Sequence, residues 1–323
     1  MVVFLLLIFS ALLSWIFLLF LIPWLRSSVL DRPNSRSSHI QPTPRSGGIA
    51  FIFLPVIFAV VYLSFSTFFD GLPLYRVTPA LIPLLALPLS IVGFFDDLCD
   101  LPVSIRYLVQ LITAFLLVLV SPLPLHWFAL PCLLILVTAV INFVNFVDGL
   151  DGMVAGCMSI IFAALVPKFY ASWGLWVLVG SLLGFLIWNW SPAKVFMGDV
   201  GSTFLGAVFA GLVLQSDSWQ EASSLFLLAT PLLADAGSCV IRRLLARQRV
   251  FTAHRLHLFQ RLHQAGWSHS RVSFVYMIAT GLLALALALG GWAWIVGLAV
   301  VELFVGKWLD QCVAVPFKLA SRS

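Results

Sequence analysis

Residues 124–152 read PLHWFALPCLLILVTAVINFVNFVDGLDG. Up to Asn142 the stretch is almost wholly apolar and has the length of a membrane-spanning helix. Then the chemistry changes. Asn142, Asn145, Asp148 and Asp151 recur at every third position, with Gly149 and Gly152 among them. Steps of three on a helix keep neighbours close while drifting about 60° each time. Asn142 and Asn145 can therefore share a face, whereas Asp148 and Asp151 need the turn that the glycines supply. Helix capping would explain one aspartate, but not four polar residues at a membrane edge, where they are costly unless they bind something polar.

The same pattern governs the rest of the chain. Of 323 residues, 62% are hydrophobic and 10% charged, against about 25% charged in a soluble domain. The mean hydropathy of +1.08 agrees. Strict alternation, the mark of a transmembrane barrel, is absent, and apolar runs of helical length replace it. The sequence therefore predicts an all-α polytopic membrane protein, a single integral membrane domain over residues 1–323. About 11 transmembrane helices are expected, near 2–22, 47–65, 78–95, 105–121, 124–142, 153–167, 173–190, 202–215, 223–241, 272–289 and 290–309. The run from Val2 to Ile22 has no basic residue before it and no small-residue cleavage site after it, so it reads as a retained span. The five cysteines show no paired spacing and read as small buried hydrophobes, suggesting neither a zinc site nor a disulfide framework.

Charge sets the expected orientation. With these spans only Arg76 and Lys168 fall on one side, and the other 16 of the 18 Lys and Arg on or near the opposite side. The basic side should be cytoplasmic, with the N-terminus outside. Every polar cluster follows an odd-numbered span, so all of them are expected on that cytoplasmic face, as an active site built from loops.

Asp96 and Asp97 end an apolar run. At the bilayer centre each would cost about 2.5–3.5 kcal/mol, so they belong at the interface or in a polar cavity. Either they are a solvated helix end or they divide labour, one on a metal and one accepting a proton. Phe196-Met197-Gly198-Asp199-Val200-Gly201-Ser202 opens a helix, whose N-terminus favours anions such as phosphate, and Phe196 could stack on a nucleobase. His254, Arg255 and His257 interrupt a basic loop. Topology alone explains the arginines before them but not the interleaved histidines, which suit a diphosphate. Carboxylates for a hard cation, basic groups for phosphate and an aromatic for a base make up equipment for magnesium-dependent phosphoryl transfer from a nucleotide.

Together these motifs resemble the polyprenyl-phosphate N-acetylhexosamine-1-phosphate transferases, glycosyltransferase family 4. The resemblance rests on Pro42-Thr-Pro44-Arg45-Ser46-Gly47-Gly48, the Asp96-Asp97 pair, Asn142 to Gly152, Phe196 to Ser202 and His254 to Leu262, and covers about residues 31–271. It implies transfer of an N-acetylhexosamine 1-phosphate from a UDP-amino sugar to undecaprenyl phosphate, with release of UMP. The expected setting is the bacterial inner (cytoplasmic) membrane, and the expected metal is Mg2+, or Mn2+ in its place. It further implies Asp199 as the main metal ligand with Asp97 beside it, and Asp96 as proton acceptor or the metal's partner. Asn145, Asp148, Asp151 and Phe196 would hold the nucleotide; His254, Arg255 and His257 would close over diphosphate and sugar. Arg45, Arg106 and Asn142 fall in or beside the matched motifs and are expected to contact substrate.

Two departures refine the expectation. A lysine seen in some relatives after the Asp pair is Arg106 here, which keeps the charge but not the shape. The consecutive histidine triplet of the pentapeptide-carrying enzyme is absent, which argues against a MurNAc-pentapeptide substrate. The 31–39 stretch and Gln260-Arg261-Leu262 look more like the branch that initiates O-antigen or related surface glycans, with a GlcNAc-, FucNAc- or QuiNAc-type sugar. A membrane transporter of a polar or anionic solute is the alternative; it predicts charges near the midplane and broken helices in matched halves, whereas Asp235 and Glu302 are the only carboxylates inside spans. No nucleic-acid partner is expected, and a homodimer stays open.

Overall fold

The computed structural model describes residues 2–33, 41–65, 79–169, 173–248 and 254–321. Arg36, Arg76, Arg249 and Arg322 of the charge count, and most of the 31–39 stretch, lie outside the described residues. The regular structure of the described residues is helical apart from one short clip. Its helices are α1 (Val2–Ser28), α2 (Ile49–Phe65), α3 (Ile82–Cys99), α4 (Val103–Leu119), α5 (Leu130–Phe146), α6 (Met153–Leu165), α7 (Trp173–Asn189), α8 (Gly198–Leu214), α9 (Trp219–Leu227), α10 (Thr230–Leu245), α11 (Leu258–Gln264), α12 (His269–Cys312) and α13 (Phe317–Ala320). The clip pairs β1 (Leu30–Asp31) antiparallel with β2 (Thr43–Pro44), Leu30 opposite Pro44.

By length and composition, four of the described helical stretches can cross a membrane, or five if the bent pair α9–α10 counts as one. Five further apolar helices are shorter, at 10–17 residues. The protein is thus a multi-pass membrane protein. The expected run 223–241 falls on a bent pair, in which α9 and α10 meet at 84°. Pro231 sits in the first turn of α10, where it has no N–H to continue the preceding helix. The division expected between 272–289 and 290–309 falls where α12 breaks, at Gly291 with φ 63°. A helix of 44 residues would be about 66 Å long, roughly twice the hydrocarbon thickness, and the break makes it two.

Packing follows the small residues. α1 buries only Ser10, Ser14, Leu18, Ile22 and Leu25, a stripe with a period near four. It lies along α7, where a side-chain carbon at Gly180 or Gly184 would run into Ser10 and Leu7, or into the backbone of Ala11. Small residues four apart let two helices approach closely in lipid. Trp15 and Trp188 stack over the same seam with centroids 6.0 Å apart. The hub is α8, in which every residue from Val200 to Leu214 is buried. It packs most extensively on α3 and α5. The N-terminus of α8 and the C-termini of α3 and α5 therefore come together at one end of the bundle. That end carries the polar residues.

Candidate active site

Asp96 and Asp97 close α3 and are both buried, at 8% and 4% exposure. Neighbours on a helix diverge by about 100°, and these two carboxylates meet different partners. Asp97 Oδ2 accepts from Ser46 Oγ at 2.6 Å, and Asp97 Oδ1 lies 3.4 Å from the backbone N of Asp199. Arg45 donates to the Asp97 carbonyl at 2.5 Å, with its Nε 3.6 Å from Asp97 Oδ1. Asp96 instead accepts from Arg106 Nη1 at 2.7 Å and from the Leu101 amide at 2.7 Å. Burying charge is tolerable only with such pairing.

The 42–48 loop is placed by the backbone. Pro44 O accepts from the Phe196 amide at 2.9 Å, and Phe196 O accepts from the Gly47 amide at 2.9 Å. This pairing sets Ser46 and Arg45 beside Asp97, and leaves the Phe196 ring partly exposed. Gly198 follows, with φ 71°. A side chain there would be strained and would collide with the Asp97 carboxylate. Asp199, in the first turn of α8, accepts from Asn145 Nδ2 at 2.9 Å. The same amide lies 2.8 Å from Ser202 Oγ. Arg106 Nη1 reaches Asp199 Oδ2 at 3.6 Å, so one guanidinium spans Asp96 and Asp199.

The other polar positions of the 142–152 stretch separate. Asn142 is taken up by the helix pair, donating to Gln110 Oε1 at 2.8 Å and to the Thr138 carbonyl at 2.8 Å. Asp148, in the turn after α5, feels Asp199, Asp97 and Asp151; burial and then these charges push its carboxyl up to about 8. Asp151 points the other way, to the Ala193 amide at 3.2 Å and to His269 Nδ1 at 3.2 Å. Burial opposes its ionisation, but His269 and these hydrogen bonds prevail and hold it below the ordinary carboxylate value.

The histidine loop closes the same end. Leu258 and Phe259, the first residues of α11, donate their amides to Asp235 at 2.7 and 3.0 Å, and Tyr276 Oη donates to it at 2.7 Å. Asp235, buried in α10, thus caps a helix that follows it by more than twenty residues. Gly149 lies against Phe259 and Gln260, so α11 rests on the Asp148 turn. His254 and His257 stack at 5.0 Å between centroids. Burial, then His257 and Arg243, depress the His254 imidazole to about 4, so it is neutral at pH 7. Arg261, 2% exposed, fixes the far side by pairing with Asp310 and donating to Val315 O at 2.9 Å.

Similarity to known proteins places the chain in a family. The family model for glycosyl transferase family 4 covers residues 79–217. A Mycobacterium leprae protein, "Decaprenyl-phosphate N-acetylglucosaminephosphotransferase", is 30% identical over 81% of this chain and 77% of its own length. The chain belongs to glycosyl transferase family 4, the polyprenyl-phosphate N-acetylhexosamine-1-phosphate transferases. A Bacillus subtilis relative, "Probable undecaprenyl-phosphate N-acetylglucosaminyl 1-phosphate transferase", is 28% identical over 79% of the chain and 75% of its own length. A "Phospho-N-acetylmuramoyl-pentapeptide-transferase" of Halalkalibacterium halodurans is 28% identical over 85% and 92%.

In this family-4 chain Asp96, Asp97, Asp199, Asn145, Arg45 and Arg106 form one hydrogen-bonded or ion-paired set, with Asp148 electrostatically joined to it. Asn142 and Asp151 hold neighbouring elements in place. Arg255 is half-buried beside the histidines, and its carbonyl accepts from Gln264 Nε2 at 3.0 Å. Motif reading had passed over Ser202, Gln110 and His269 as site partners. Each meets its partner from a distant helix, and spacing along one segment carries no trace of that.

Proposed function

We propose that this protein transfers an N-acetylhexosamine 1-phosphate from a UDP-sugar to undecaprenyl phosphate on the cytoplasmic face of the bacterial inner membrane. The observation that carries the reading is the convergence of four aspartates, from the ends of α3 and α8 and the turn after α5, with Arg45 and Arg106 among them. An all-oxygen, multiply anionic donor set suits a hard divalent cation. Asp97 and Asp199 would hold Mg2+, with Asp148 completing the anionic wall and Mn2+ able to replace it. The bound ion would supply charge neutralisation for the diphosphate.

The chain's own groups do the rest. An oxygen of the lipid phosphate attacks the sugar-bearing phosphorus, and the bond from that phosphorus to the bridging oxygen breaks. The products are the lipid diphosphosugar and UMP. Asp96 faces the acceptor and takes its proton where the phosphate arrives monoprotonated. Arg106, bridging Asp96 and Asp199, screens the repulsion between acceptor and donor. Phe196 lies at the cleft edge, where its partly exposed ring can stack on uracil. The neutral His254 imidazole, with His257 and Arg255, donates to the donor's phosphates and sugar.

For the sugar we favour a GlcNAc-, FucNAc- or QuiNAc-type residue, at the start of O-antigen or a related surface glycan. The missing histidine triplet and the relatives named for N-acetylglucosaminyl transfer support this. Purified protein given UDP-GlcNAc and its deoxy relatives should release UMP only when polyprenyl phosphate and Mg2+ are both present. Release without the lipid acceptor, or turnover of UDP-MurNAc-pentapeptide alone, would overturn the assignment.

A further inference from the structure

We propose that Cys239, His254 and His257 form a second metal site, for a zinc-class ion, that switches the enzyme off when filled. The inhibitory half rests on the histidines' role in donor binding given above; the metal site does not. The Cys239 thiol and one ring nitrogen of each histidine lie within 4.8 Å of one another. Among the described residues this is the one such group of three His, Cys, Asp or Glu ligand atoms. Cys239 lies on α10 and the histidines precede α11, so only the fold brings them together. Tetrahedral zinc holds adjacent ligand atoms about 3.5 Å apart, a contraction of at most about 1.3 Å that side-chain rotation can supply.

Two features favour an ion here over three unrelated side chains. His257, 2% exposed, has its Nδ1 3.6 Å from Asp235 Oδ1, which leaves Nε2 as the nitrogen for a metal. A carboxylate behind the distal nitrogen is the usual support of a metal-bound imidazole, fixing its orientation. Access is graded as well: Cys239 and His257 are buried, and His254 is partly open, which gives an ion a way in. Three protein ligands leave a fourth position for water or a phosphate oxygen. Thiolate and imidazole select a borderline ion and discriminate against Mg2+, which prefers the aspartates. Binding releases the thiol proton to solvent as the sulfur–metal bond forms. An imidazole on the ion gives up the nitrogen that ligates it; the other nitrogen of His257 is turned to Asp235, so His257 has none left for the sugar diphosphate.

The probes are Co2+ and Zn2+ alone on the purified full-length protein. One Co2+ per chain should give a thiolate-to-cobalt charge-transfer absorption, and Zn2+ should displace it. Cys239→Ala should remove the band and weaken Zn2+ binding by about 100-fold or more, at least what loss of a supporting partner costs a metal site. Cys157→Ala, at another buried thiol, should leave both unchanged. Turnover of wild type in Mg2+ should fall on adding Zn2+, and Cys239→Ala should keep its turnover and lose that sensitivity. Absence of a thiolate–cobalt band, or a band that survives Cys239→Ala, overturns the metal site. A Cys239-dependent band in a protein that shows no transferase turnover would leave the metal site standing and sink the proposed function instead.

Discussion

The Asn145 side-chain amide donates to Asp199 at 2.9 Å and so ties the end of α5 to the start of α8. With Ser202 2.8 Å from the same nitrogen, the Asp199 rotamer is set from a different helix. Such support of a metal-binding carboxylate commonly contributes about 10–100-fold in affinity or activity. Asn145→Ala should therefore lower turnover by that order and raise the Mg2+ concentration needed for half activity, with the protein still folded. Titration of activity against Mg2+ checks this; unchanged Mg2+ dependence would show that Asp199 needs no such support.

Gly198 offers a sharper steric test. Its φ of 71° costs an L-residue about 1–2 kcal/mol, and the added methyl would also collide with the Asp97 carboxylate. Gly198→Ala should destabilise the protein by at least that amount and abolish most turnover by displacing Asp97. Gly281, against which a side-chain carbon would meet nothing, supplies the control. Gly281→Ala should leave turnover unaltered. Equal losses in the two variants would mean that the Asp97 position is not the cause.

The fold was legible to the extent that it depends on apolar runs. The 124–142 run corresponds to α5, shifted to Leu130–Phe146, and the glycine pair near 290 marks the break in α12. The bend between α9 and α10 was hidden, because Pro231 lies inside an apolar run that remains hydrophobic on both sides. The candidate site was legible where polar groups cluster in sequence, as at Asp96-Asp97 and Gly198-Asp199. It was not legible where one helix holds another. Asp235, in the sequence only a charge inside a span, holds the amides of α11. Cys239, read as a small hydrophobe, lies beside two histidines that follow it by 15 residues or more.

The Asp148 carboxyl carries a pH signature. Its value rises from 3.8 to about 8 through burial and the neighbouring carboxylates. The folded protein therefore holds this proton more tightly than the unfolded chain does. The resulting stability is fully present below about pH 4 and is lost progressively as pH rises to about 8. Protein stripped of divalent ions should melt at progressively lower temperature as pH is raised across that window. Asp148→Asn, which keeps the neutral form at every pH, should flatten the dependence. Adding Mg2+ should do likewise at high pH, because a cation stabilises the ionised form. A slope identical in wild type and variant would place the titration elsewhere.

The last prediction concerns the division between Asp96 and Asp199. Mg2+ usually takes one or two protein carboxylates, with waters and substrate phosphates filling its octahedron, so not every aspartate here is needed for it. Asp97 lies against the Asp199 amide. Asp96 turns instead to Arg106 and the Leu101 amide. On the proposed function, Asp97 and Asp199 would face the metal and Asp96 the acceptor. Replacement by asparagine keeps the shape and removes the charge. Asp199→Asn should raise the Mg2+ requirement sharply and lower turnover. Asp96→Asn should lower turnover with little change in Mg2+ dependence. Its defect should shrink as pH rises, because more of the lipid phosphate is then already ionised and needs no base. Measuring kcat against Mg2+ at two pH values separates the cases. If both variants shift the Mg2+ requirement equally, Asp96 is a third arm of the metal clamp, and acceptor deprotonation belongs to another group.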